Sequence, residues 1–143
     1  MQVNGKSAIG SDFRRSVLWQ KAQELATNLA TTIRDLPRDR AADVIGNQLL
    51  GSGTSIAANI AEGYGRYSQA AYRNHLSIAR GSAFETESWL GLLIRTGYVS
   101  SEAGEKLIGL CTEAQKLITA RMKSLDGGKT YAVREDAVDY ETQ

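Results

Sequence analysis

One cysteine, one proline and one histidine stand in a chain of 143 residues, and each shortage removes a class of function. With Cys111 alone, no internal disulfide forms and no zinc pattern exists. Its neighbours Leu107, Leu110, Ala114 and Leu117 make it a buried small hydrophobe, in keeping with a reducing, cytoplasmic setting. His75 has no second histidine to share a metal or a proton, so neither a metal centre nor a cofactor is expected. No apolar run approaches the roughly 18 residues needed to cross a membrane. Residues 1–11 lack the apolar core of a signal peptide.

Charge of one sign is missing too: the formal net charge is +1. That small number hides an asymmetry. Residues 126–143 carry two basic and five acidic groups, net −3, which leaves net +4 on residues 1–125. A mildly basic body with an acidic tail follows.

What the chain does have is helical period. With Pro37 as its only proline, it leaves long stretches free to be helical. Leu18, Ala22, Leu25, Leu29 and Ile33 recur at three and four, predicting a first helix from an N-cap at Asp12 to Pro37. A second starts at Asp39 or Arg40 and runs to about Arg66. Ser68 caps a third that reaches Arg95, with Gly97 in the left-handed position past its end. Ser100 or Ser101 caps a fourth, whose core face reads Ala103, Leu107, Leu110, Ala114, Leu117, Met122 and Leu125. Short connections between four amphipathic helices predict an all-α, antiparallel up-down-up-down four-helix bundle over residues 12–125. A flexible leader, 1–11, precedes it and the flexible acidic tail, 126–143, follows.

Residues 51–83 concentrate the unusual features. Glycine inside a helix costs roughly 1 kcal/mol relative to alanine, so several of them require a gain from close packing. Gly53, Ala57 and Ala61 lie four apart and form a ridge almost without side chains; Gly81 is expected to serve the third helix in the same way. Beside the ridge, Asn59 and Glu62 are expected to meet Arg80 and Ser82 in a buried hydrogen-bonded cluster.

No catalytic residue emerges. Gly51-Ser52-Gly53-Thr54-Ser55 lacks the lysine ending of a phosphate-binding loop, and Gly63-Tyr64-Gly65 lacks the third glycine of a dinucleotide fingerprint. Glu85 and Glu87 face different ways on their helix, so they form no carboxylate pair. The chain reads as a binding protein, not an enzyme. Arg14, Arg15, Lys21, Arg66 and Arg73 are the candidate cations for a nucleic-acid or partner surface, with Tyr64 and Tyr67 as stacking faces. Trp89 continues a second line on the third helix through Ile78, Ser82 and Glu85, and a helix with two partly apolar faces predicts contact with another subunit.

Three runs carry a resemblance: Gln48-Leu49-Leu50, Ser55 to Arg66 (SIAANIAEGYGR) and Ile78 to Glu85 (IARGSAFE). They resemble the bacterial four-helix-bundle family of ribosomal-RNA intervening-sequence proteins, which includes the accessory variability determinant of diversity-generating retroelements. The resemblance covers roughly residues 12–125. It implies a ring-shaped homo-oligomer, a homopentamer, that binds a reverse transcriptase and its RNA or cDNA. The alternative within the family is a structural or interaction protein of the intervening-sequence branch that binds no nucleic acid.

Overall fold

The computed structural model describes residues 13–127, and every regular element among them is helical. A short 3-10 turn, Phe13–Arg15, leads into α1 (Val17–Arg34), α2 (Arg40–Tyr64), α3 (Gln69–Arg95) and α4 (Ser101–Leu125). The leader and the acidic tail beyond Gly127 lie outside the described residues, as does the expected cap at Asp12. Ser16 is the residue that caps α1, its Oγ accepting the Trp19 N–H at 3.3 Å.

The other helix starts follow the same chemistry. Asp39, Ser68 and Ser100 sit in extended backbone and accept the N–H of Ala42, Ala71 and Ala103, satisfying donors that the first turn leaves unpaired. At the far end of α3, Gly97 takes φ +80°, a conformation only glycine enters freely.

Each helix packs mainly on two neighbours: α1 on α2 and α4, and α3 on α2 and α4. Leu25, Leu29, Leu49, Ile56, Ile60, Leu76, Leu90, Leu93 and Ile118 are fully buried between them. On α4 the buried face is Gly104, Leu107, Cys111, Ala114, Gln115, Ile118 and Met122. That corrects the expected face: Ala103 is exposed, and Leu110, Leu117 and Leu125 pack against the rim of the core. Apolar residues at 107, 110, 114, 117 and 118 make a wide stripe, and the core takes the side of it centred on Cys111.

Side-chain pairs fix the register. Ser52, Ser55 and Asn59 of α2 bond to Thr86, Ser82 and His75 of α3, so a rising position on one helix meets a falling one on the next. Arg73, Arg80 and Glu87 of α3 bond in the same manner to Asp126, Thr119 and Gln115. One consequence matters most for function: α1 begins, α2 ends, α3 begins and α4 ends together, around a cleft lined by Ser16, Leu18, Tyr64, Tyr72, Leu117 and Arg121.

Candidate functional site

A polar seam runs between α2 and α3 where a purely apolar contact would be the default. At its buried end Thr86 Oγ1 lies 2.9 Å from Ser52 Oγ. One turn on, the Ser55 hydroxyl accepts from Ser82 at 3.0 Å and from Asn59 Nδ2 at 2.9 Å. At the open end Asn59 Oδ1 is 3.1 Å from His75 Nδ1, while Arg66 Nε donates to His75 Nε2 at 3.2 Å. Glu62 closes the seam, holding Arg66 Nη2 and standing 3.2 Å from His75 Nε2. The Arg66 hydrogen bond lowers the Glu62 pKa from 4.5, with the charge on His75 when protonated and that on Arg66 adding to it against a smaller opposing effect of burial.

The expected cluster of Asn59, Glu62, Arg80 and Ser82 is therefore corrected. Asn59 and Ser82 do meet, through Ser55, but Glu62 and Arg80 do not. Arg80 donates from Nε to Thr119 at 2.8 Å and lies 5.0 Å above the Phe84 ring. The reason is rotation: Arg80 is two positions from Ser82, so about 200° around the helix, and faces α4 where Ser82 faces α2. Nor is Glu62 buried; its side chain is 52% exposed.

The glycines divide likewise. A Cβ on Gly53 would collide with Leu29 Cδ1, and one on Gly63 would lie 2.8 Å from Tyr72 Cδ1 and 3.1 Å from His75 Cβ. Gly53 and Ala57 are buried and Ala61 is half-buried, so the ridge lies against α1. At Gly81 the expectation is corrected, since nothing lies within 4 Å of the added carbon. It points outward between Ile78 and Phe84, which are 45% and 47% exposed.

The candidate cations gather at one end of the bundle, with one exception. Arg14 and Arg15 precede α1, Arg66 follows α2, and Arg73 lies in the second turn of α3. Arg121 and Lys123, in the last turns of α4, join them although their sequence context gave no sign of it. Among the described residues, two carboxylates, Glu62 and Asp126, stand against these six. Asp126 takes Arg73 at 2.7 Å. Tyr64 and Tyr72 pack with ring centroids 5.2 Å apart, Arg121 reaches over Tyr72 at 5.8 Å, and Tyr67 is fully exposed. Lys21 is the exception: it sits further up α1 and is shared by Glu24 at 3.7 Å and Glu113 at 3.4 Å.

Among the described residues no group of three His, Cys, Asp or Glu side chains stands together to hold a metal, and no helix is long and apolar enough to cross a membrane. A basic, tyrosine-bearing end can bind anions.

Residues 14–120 match the model of the family described as 23S rRNA-intervening sequence protein. A solved structure from Bacteroides thetaiotaomicron, described as a protein with unknown function from the S23 ribosomal protein family, is 39% identical with a TM-score of 0.71, over 75% of this chain and 99% of that one. No curated protein matches the chain. The family match runs from the turn before α1 into α4, and on that extent the chain belongs to the 23S rRNA-intervening sequence protein family.

Proposed function

We propose that the protein is a non-enzymatic binding protein that assembles with copies of itself and presents the basic end of each bundle to nucleic acid. In the finer form its resemblance implies, it is an accessory variability determinant-like factor: a cytoplasmic, ring-shaped homopentamer that binds a reverse transcriptase and its RNA or cDNA. The observation that carries the reading is the convergence of Arg14, Arg15, Arg66, Arg73, Arg121 and Lys123 on one end, beside Tyr64, Tyr67 and Tyr72. Cations hold phosphates, and tyrosine rings offer faces on which unpaired bases stack. Self-assembly is supported by the exposed Ile78 and Leu92 on the outer side of α3.

Fluorescence anisotropy with single-stranded RNA and DNA tests the binding. The wild type binds at low salt, and Arg15→Glu with Arg121→Glu weakens it at least tenfold while helical circular dichroism stays the same. Equal binding by the variant contradicts the reading. Light scattering tests the assembly: the expected mass is near five times 15.5 kDa, and a clean monomer removes the ring.

A second reading, an interaction protein without nucleic-acid binding, is favoured by one observation. Lys21, Arg66 and Arg73 already face carboxylates. Absence of any anisotropy change at low salt, in a protein that still assembles, selects it.

A further inference from the structure

Between α3 and α4 runs a groove of about 390 Å³ that the basic end leads into, lined by Arg80, Phe84, Gln115, Lys116, Thr119 and Lys123 among others. Three of its residues are cationic and none is acidic. Among the described residues no carboxylate pairs with Lys116 or Lys123, and both side chains are exposed. Arg80 is fixed across the groove by Thr119 and by stacking on Phe84, whose ring is 47% exposed. A fixed guanidinium, two unpaired ammonium groups and an open aromatic face suit a ligand that is acidic and partly apolar.

The chain itself supplies one. Glu135, Asp136, Asp139 and Glu141 fall within seven positions that contain no basic residue, with Val138 and Tyr140 among them. The segment departs from the last described residue, Gly127, one helical turn past Lys123. Extended chain advances about 3.3 Å per residue, so Glu135 has a reach of roughly 26 Å from Gly127. Lys116 lies about 16 Å back along α4, which leaves slack. Tethering places these carboxylates near the groove at an effective concentration on the order of millimolar, ahead of any anion free in solution.

The geometry points to the groove of Arg80, Phe84, Lys116 and Lys123 as the docking site of the acidic segment 135–141 of the same chain. An anionic partner approaching this side of the bundle then has to displace it.

Zero-length carbodiimide cross-linking of the full chain, as a mixture of isotopically labelled and unlabelled protein, tests the inference. The Lys21–Glu113 pair, 3.4 Å apart, is the internal control. Expected are amides between Lys116 or Lys123 and a carboxylate of 135–141, both ends in one chain. They disappear in the variant E135Q/D136N/D139N/E141Q and fade at about 0.5 M salt, where the screening length is only a few ångströms. A control cross-link without any groove cross-link overturns the inference. Links that join labelled to unlabelled chains give the groove to a second copy, and protection of Lys116 and Lys123 by added single-stranded RNA equally in wild type and variant gives it to nucleic acid. A second readout is the acetylation rate of Lys116 and Lys123 relative to the exposed Lys106. It rises at least threefold in the neutral-tail variant, and an unchanged ratio contradicts the docking.

Discussion

Thr86 of α3 and Ser52 of α2 join their hydroxyls at 2.9 Å inside the bundle, where Thr86 is fully buried. Thr86 Oγ1 is also 2.7 Å from the Ser82 carbonyl and Ser52 Oγ 3.2 Å from that of Leu49. Two protons serve three contacts, so whichever way they order, each hydroxyl keeps a carbonyl within reach. Thr86→Val is expected to cost about 1 kcal/mol, and adding Ser52→Ala little more, because removing both partners strands neither. Urea denaturation of the four proteins of this cycle checks it; fully additive losses contradict a shared bond.

The cap at Ser68, the choice of Ser100 or Ser101 for the fourth helix, the start of the second helix at Asp39 or Arg40 and the left-handed Gly97 were legible in the sequence, since each depends on a few adjacent residues. The rotation of one helix against another was not. Glu62 and Arg80 look like partners along the chain because both are charged and near glycines. Which side of α3 meets α2 is decided by the whole apolar stripe, and that stripe sends Arg80 to α4 and brings His75, an isolated histidine with no motif, into contact with Asn59 and Arg66. The basic end was half legible: Arg14, Arg15, Arg66 and Arg73 could be nominated singly, but Arg121 joins them only once the far end of α4 returns to the start of α1.

Gly63 and Gly81 separate close packing from exposure. Gly63→Ala drives a methyl into the Tyr72 ring edge and the His75 Cβ, neither of which can retreat freely, and is expected to cost about 1–3 kcal/mol. Gly81→Ala meets nothing and gains roughly 0.5–1 kcal/mol of helix propensity. Denaturation midpoints that move in the same direction for both variants contradict this division.

Glu62 and Arg80 act independently. The effects of Glu62→Gln and Arg80→Gln on the melting temperature are expected to add, and a strong coupling contradicts the observed pairing. Because Arg66 depresses the Glu62 pKa, its contribution is complete above the ordinary value of 4.5 and is lost as pH falls through the lower folded value. The wild type should therefore exceed Glu62→Gln in Tm above pH 4.5, with the difference closing on acidification.

Cys111 is inert in the folded chain. Burial, with the nearby Glu87 charge adding, pushes its pKa from 9 up to about 12, and it is fully buried. Thiol reagents are expected to modify it only at the rate at which the bundle opens, so the rate rises with denaturant; rapid labelling in buffer contradicts the buried assignment.

Binding of single-stranded RNA as a function of salt tests the basic end most directly. Each phosphate neutralised contributes a slope of about −0.7 in log K against log salt, so three to five contacts from the clustered cations give roughly −2 to −3.5. A slope in that range, reduced by Arg15→Glu with Arg121→Glu, is the predicted result. A slope near zero, or no association even at low salt, contradicts it.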